Sequence, residues 1–414
     1  MEAVCEVVRR RRLAAFAVLL ALNAEETDQI KRSRMWSRKW LLRRNTGQDV
    51  LTMLFEELSP EDPGSFKNYT RMQRRELEEL LHLITPLIEK KDTNMRQAIS
   101  PCTRLAATLR YLATGNTFQD LSYSTRIAKN TLSILVPDTL KAIVTVLEQK
   151  IHCPSKSSEW EAVAGQFHVL WQYPHCIGAI DGKHVHFRPS RKEGSKYRNY
   201  KGRDSIILLG VVDANYKFLF VDIGRNGRMH DASVFRESPL TQLLFSGELN
   251  LPQSCPLPGS NTSVPYVFVA DDAFPLKVNI MKPYPGRDLL HQKRIFNYRL
   301  SRVRRTVENA FGILANRFRV LLNVIPLAVD KVELITYACC VLHNFLLEKN
   351  ASWYIPSDMN TSTDNVTFTL QGVSQQGGNR STSRASEIRD QFSEYFNTVG
   401  VVPWQDSSVE QGRY

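Results

Sequence analysis

Asp181, Asp271 and Glu308 sit in three separate motifs, "CIGAIDGKHVHF", "VPYVFVADDAFPL" and "RRTVENAFGILANRF". The first two aspartates close runs of β-branched and aromatic residues that read as strands. The glutamate falls inside a run with helical spacing. Two strand-end aspartates and one helical glutamate form a set of hard oxygen donors. Such a set suits a pair of divalent cations held over one phosphate. The chemistry expected is metal-dependent cutting of a phosphodiester.

Each carboxylate also has a plainer reading. Asp181 before Gly182 is a common turn dipeptide. Asp271 and Asp272 are adjacent, and neighbours on an extended chain point to opposite faces. Only one of the two can therefore join Asp181. Glu308 lies just off the apolar stripe Val303, Val307, Phe311, Leu314 and Phe318, and could simply pair with Arg304 four residues back. Its own face continues into Gly312 and Ala315, small enough for the helix to approach a sheet closely. Asp231, in "GRNGRMHDASVF", is either a helix cap or a fourth metal ligand. His343, in the apolar "CCVLHNFL", reads as a core histidine with satisfied hydrogen bonds.

The elements that must carry these residues differ along the chain. Residues 1–99 are basic and helical, with "RRELEELLHLITPLIEK" showing one apolar face. In 100–150, Ser100 caps a helix with Pro101 at its first position, and Gly115 ends it. A short helix at Phe118–Tyr123 and a third from Lys129 follow, the last expected to kink at Pro137. Three short helices so spaced resemble a helix-turn-helix DNA-binding module, led by Lys129, Asn130, Thr131 and Ser133. An ordinary all-α bundle is the equal alternative. From 165 to 348 the texture becomes mixed α/β. Strands are expected around 177–187, 205–213, 217–224 and 264–271, and helices at 231–245, 300–318 and 330–348. Residues 352–385 read as a flexible linker, and 386–414 as a final helix and tail.

The chain has 414 residues and a net charge of +12. The charge is clustered. Residues 183–203 hold eight Lys/Arg against one Asp/Glu, and 281–320 hold ten against two. Both patches flank the acidic motifs, as a polyanion footprint would. Lys183, Arg188, Arg191, Lys192, Lys196, Arg198, Lys201 and Arg203 are expected to hold phosphates, with Arg299, Arg302 and Arg305 beside Glu308. Seven scattered cysteines form no CxxC pair, which argues for reduced thiols and against a zinc template. The apolar run Leu13–Leu22 resembles a signal peptide but is preceded by Glu2 and Glu6. It is read as a helix too short to span a bilayer.

Six motifs occur in order: "CIGAIDGKHV", "YKGRDSIILLGVVDANYKF", "GRMHDASVF", "ADDAFPL", "FNYRLSRVRRTVENAFGILANRFRVL" and "CVLHNFL". Together they resemble the PIF/Harbinger transposases and their host-domesticated nuclease relatives, over most of 165–348. The resemblance implies an RNase H-like catalytic domain whose DDE triad falls on Asp181, Asp271 and Glu308, with Asp231 as a further acidic position. It implies Mg²⁺ or Mn²⁺ as cofactor, Asp181 shared between two ions, and attack of a freed 3′-OH on target DNA. It also implies DNA ends as substrate, a separate Myb-like partner protein and a nuclear location with a cytoplasmic pool. A homo-oligomer is expected, and no membrane. Many relatives read glycine-aspartate-serine-glycine-tyrosine where this chain has Ala270–Phe274, so Asp272 is a departure. The rival reading is a catalytically silent relative that binds DNA or chromatin.

Overall fold

The computed structural model describes residues 38–411, apart from 48, 95–96, 287, 356–370 and 373–381. The readings of the chain start, including Leu13–Leu22, lie outside the described residues. So does most of the expected linker.

Short helical turns between Lys39 and Thr70 lead into five longer helices: α1 (Arg74–Ile88), α2 (Pro101–Thr114), α3 (Phe118–Thr125), α4 (Lys129–Leu147) and α5 (Ser157–Trp171). The local signals act as expected. Ser100 Oγ accepts the Thr103 N–H as N-cap, and Gly115 closes α2 in the left-handed region with φ of 68°. Thr117 caps α3 through the Asp120 N–H. The expected kink does not end α4, which runs through Pro137. By length and composition α4 could cross a membrane. Here Leu132, Leu135, Leu140, Ile143 and Leu147 are buried in the protein's own core.

A mixed sheet follows, built from β1 (Cys176–His186), β2 (Ser205–Val212), β3 (Phe218–Asn226), β4 (Val267–Val269) and β5 (Ile280–Met281). Its order is β3-β2-β1-β4-β5. The first three strands form an antiparallel meander, and β4 and β5 run parallel to β1. A two-residue strand, β6 (Gln371–Gly372), pairs antiparallel with Lys183 and His184. Helices α6 (Asp231–Glu237) and α7 (Pro239–Ser246) precede β4. The long helices α8 (His291–Arg317) and α9 (Val329–Tyr354) come next, then α10 (Ser383–Asn397) and α11 (Gln405–Glu410).

Period-2 alternation divides the sheet between two cores. Ala179, Val185, Ile206 and Leu208 face α8, α9 and the N-terminal helices. Ile177, Ile180, Ile207 and Leu209 face Trp160 of α5 and Val234 and Phe235 of α6. The first core runs without a break from Leu51 to Tyr354, so the expected boundary near 150 does not separate two cores. The physical reason is α9. It packs on α4 as well as on the sheet, through Asn344, whose amide donates to Phe218 O and Lys150 O.

The expected linker is shorter at both ends. Helix α9 continues to Tyr354, inside the segment expected to be linker. The expected C-terminal helix is present as α10, starting at Ser383, and it is packed: Ile388, Phe392 and Phe396 are buried with Tyr173, Phe296 and Leu300.

Candidate active site

The sheet register brings the two aspartates together. In the parallel β1–β4 pair, Ala179 lies beside Val269. Two residues on along each chain, past the end of that ladder and by alternation on the same face, come Asp181 and Asp271, near enough for the Asp181 charge to act on the Asp271 carboxyl. That face is the one α8 covers. β4 stops at Val269, so Asp271 sits just beyond a strand end, as expected. Asp181 does not. β1 continues to His186 because β2 pairs with it all the way from Ala179 to His186. Asp181 is mid-strand, opposite Gly210, at the point where its parallel neighbour ends.

Gly210 also explains how α8 comes close. A Cβ there would lie 3.0 Å from the Phe311 ring and 3.1 Å from the Phe218 ring. The missing side chain lets Phe311 rest on the sheet. Glu308 lies one turn earlier on α8. Gly312 and Ala315 are buried on α8, and no local pattern marks Gly210 as the complementary gap.

The acidic cluster contains its own cations. Arg304 pairs with Glu308 at 2.6 Å and reaches Asp271 at 3.8 Å. Lys183 pairs with Asp181 at 2.8 Å, and its ammonium lies 5.9 Å from the centre of the Phe311 ring. The plainer reading of Glu308 holds, since it pairs with Arg304, and the same guanidinium connects it to Asp271. Burial pushes the Asp271 carboxyl up to about 6, helped by the Asp181 charge and opposed by Arg304 and the Ala273 N–H. Burial works against the charge on Arg304. Glu308, Asp181, Asp271 and Asp272 outweigh it and hold the guanidinium above its ordinary value. Asp272 itself is exposed, so the alternation argument selects Asp271.

Among the described residues, no three His, Cys, Asp or Glu side chains already converge as a ready-made cation cage. The chemistry of the donor set nonetheless fits a hard divalent ion. Three carboxylates from two adjoining strands and a helix share one face. Asp181 is buried, and its Oδ2 has the Lys183 ammonium as partner at 2.8 Å. Asp231 opens α6. Its side chain lies outside the described residues.

The basic residues divide. Arg188, Arg191, Lys192, Lys196, Arg198, Lys201 and Arg203 are exposed on the loop between β1 and β2. Asn199 stiffens that loop: its Oδ1 accepts the Lys201 and Arg203 N–H groups, and its amide donates to Ser205 Oγ. Lys183 is not part of this surface, since it points into the carboxylates. Arg299 is a clear correction. It is 2% exposed and donates to the backbone carbonyls of Gly400 and Gln172 and to Gln405 Oε1. Arg302 lies 3.9 Å over the Trp404 ring and donates to Gln172. The C-terminal segment and Gln172 at the end of α5 supply these contacts, so the two arginines are tied to the protein itself. Arg305 stays partly exposed. At the start of α4, Lys129 and Asn130 are exposed and Thr131 and Ser133 half-buried.

Residues 180–344 match the family of DDE superfamily endonucleases. The chain is 25% identical over 294 residues to an ALP1-like protein of Arabidopsis thaliana, covering 69% of this chain and 71% of the relative. It is 27% identical over 261 residues to HARBI1 of Bos taurus, named as a candidate nuclease, covering 62% and 70%. It is 22% identical over 322 residues to the Arabidopsis protein named antagonist of like heterochromatin protein 1, covering 76% and 78%. No solved structure matches the chain. Residues 180–344 thus carry a DDE superfamily endonuclease domain, and the chain is similar around it to the ALP1-like and HARBI1 proteins.

Proposed function

We propose that this protein is a metal-dependent DNA endonuclease of the PIF/Harbinger type, with Asp181, Asp271 and Glu308 as its catalytic carboxylates. The observation that supports this reading is a chain of contacts: the Asp181 charge acts on Asp271 beside the β1–β4 pair, and Arg304 links Asp271 to Glu308 on α8. The sheet order, a three-stranded meander extended by two parallel strands, supports the RNase H-like reading. Asp181 and Asp271 would hold Mg²⁺ or Mn²⁺ together with Glu308, and Asp231 is a further candidate ligand. When bound, such ions supply the Lewis acidity that activates water and stabilises a leaving 3′ oxygen.

The chain's own residues do the rest. The exposed loop from Arg188 to Arg203 begins two residues past the end of β1, so it can grip phosphates leading away from the site. Helices α2, α3 and α4, with the three-residue turn Arg126–Ala128, support a helix-turn-helix reading in which Lys129, Asn130, Thr131 and Ser133 meet DNA. Transposon ends and target DNA as substrates, a Myb-like partner, self-association and a nuclear location with a cytoplasmic pool complete the proposal. They follow from family likeness.

One finding favours a second reading: a relative is named as an antagonist of like heterochromatin protein 1. A silent chromatin-binding descendant would keep the fold without turnover. All three carboxylates are present here, which favours the enzyme. The test is nicking of supercoiled plasmid, and of duplexes carrying any inverted repeats that flank the gene, by the purified full chain. Mg²⁺ or Mn²⁺ should be required. Asp181→Asn, Asp271→Asn and Glu308→Gln should each lower the rate at least about a hundredfold, as loss of a metal ligand does, with DNA retention unchanged. Wild-type binding without cutting selects the chromatin reading. Loss of cutting in Asp272→Asn but not Asp271→Asn would move the site to the neighbouring aspartate.

A further inference from the structure

We propose that Arg304 is the resident counter-ion of the carboxylate site and must leave it for a divalent cation to load, so that metal affinity is set by a competition within the protein. This rests on the reading of Asp181, Asp271 and Glu308 as the metal-binding set.

Geometry singles out Arg304. The aspartates come from two adjoining strands and the glutamate from α8. A cation shared by them must lie between strand and helix. Arg304 is the side chain that bridges that gap, touching Glu308 at 2.6 Å and Asp271 at 3.8 Å. Lys183 touches Asp181 and neither of the other two. Three carboxylates facing one guanidinium and one ammonium leave a single net negative charge. That is too little to attract two dications while both internal cations stay in place. Close like charges cost several kcal/mol even at an effective dielectric near 20, roughly 4 kcal/mol at 4 Å. The occupied centre also explains why no three acidic groups are already drawn together.

Arg304 has somewhere to go. Asp272, exposed and next to Asp271, is already among the charges that stabilise it. The residue that departs from the family pattern can therefore receive the guanidinium when it leaves the centre.

The experiment is Mn²⁺ binding to the DNA-free full chain, followed by calorimetry and by the electron spin resonance of free Mn²⁺. Arg304→Gln removes the competitor but keeps a polar side chain of similar reach. Arg304→Lys keeps the charge. The expected result is a dissociation constant at least about tenfold lower in Arg304→Gln, and near the wild-type value in Arg304→Lys. Asp272→Ser should weaken Mn²⁺ binding in the wild-type background and change it less in Arg304→Gln, because its role runs through the arginine. Unchanged or weaker binding in a folded Arg304→Gln protein would overturn the proposal and make Arg304 a strut that shapes the site. If Arg304→Gln fails to fold, an Arg304→Lys protein that binds much tighter than wild type would overturn it instead, since charge would not matter. Wild type and variants that all show no saturable Mn²⁺ binding would mean that the carboxylates are no metal site. That outcome sinks the proposed function and not merely the role of Arg304.

Discussion

Residues 183–203 and 281–320 are two basic runs of nearly equal charge, and they meet opposite fates. Apart from Lys183, which is paired with Asp181, the first forms an exposed loop from Arg188 to Arg203 whose arginines and lysines point to solvent. The second lies mostly on α8 and is folded into the protein. Arg299 is enclosed by Gln172, Gly400 and Gln405, Arg302 is stacked on Trp404, and Arg304 sits among the acidic residues. Charge density along a chain says how many cations there are and nothing of where their partners come from. The partners of Arg299 are more than 100 residues away in sequence on both sides.

The contrast breaks most visibly in stability. Arg299→Ala leaves two carbonyls and an amide oxygen without a charged donor in a buried place. It should cost about 3 kcal/mol in urea unfolding of the full chain. Burial already lowers the Arg299 guanidinium to about 10, in keeping with a group held out of water. A quadruple Ala variant at Arg191, Lys192, Lys196 and Arg198 should change stability by less than about 0.5 kcal/mol per site. Equal effects from the two sets would mean that the two basic runs do not differ in role.

DNA affinity should show the reverse. The quadruple loop variant should lower the slope of log affinity against log salt by about 3 to 4, one unit per lost phosphate contact, and affinity by about two orders of magnitude. Filter binding across a salt series reads both. Arg302→Ala, if it stays folded, should leave the slope unchanged, because that arginine already has its partners.

Buried histidines extend the comparison to a third kind of basic group. His343 is fully enclosed. Its Nε2–H donates to Tyr216 O at 2.8 Å, and its Nδ1 accepts from the Tyr354 hydroxyl at 3.0 Å. Burial lowers it to about 4, and burial with nearby His186, Lys201 and Lys183 lowers His184 to about 4. Below their ordinary pKa the unfolded chain takes up protons that the folded chain refuses. The stability they confer is therefore complete above about pH 6.5 and falls as the pH drops toward 4. Each should cost about 2 kcal/mol at pH 5. Unfolding at pH 7.5 and pH 5 should show this loss, and His343→Gln should make it smaller.

The smallest effect is expected at the start of α4. Lys129→Ala with Asn130→Ala should reduce discrimination between DNA sequences by about tenfold, at roughly 1–3 kcal/mol for a base contact, and general affinity by less. Equal loss on all sequences would leave that helix a plain member of the bundle.

What could be read from the sequence follows the same divide. Asp181, Asp271 and Glu308 were legible because each sits in a local pattern: a strand run or a helical stripe. The caps of α2 and α3 were legible for the same reason. Asp181 was misplaced at a strand end because "DGKH" looks like a turn. The long pairing with β2, which carries β1 onward, is not a local signal. Alternation lets only one of Asp271 and Asp272 share the Asp181 face, and Asp272 is the exposed one, but the register that brings Asp271 near Asp181 appears only in the sheet. In the sequence Arg304 is the plain helical partner of Glu308. Spacing of four residues shows that two side chains meet, and not that they meet inside a site. The role of residues 383–410 in burying Arg299 had no local signature, since the pairing spans the chain.

The most direct measurement is anomalous diffraction from crystals of the full chain soaked in Mn²⁺. The account predicts a peak between the carboxylates of Asp181, Asp271 and Glu308, with the Arg304 guanidinium moved away from Glu308. No peak there at millimolar Mn²⁺, with the Arg304–Glu308 pair intact, would contradict it.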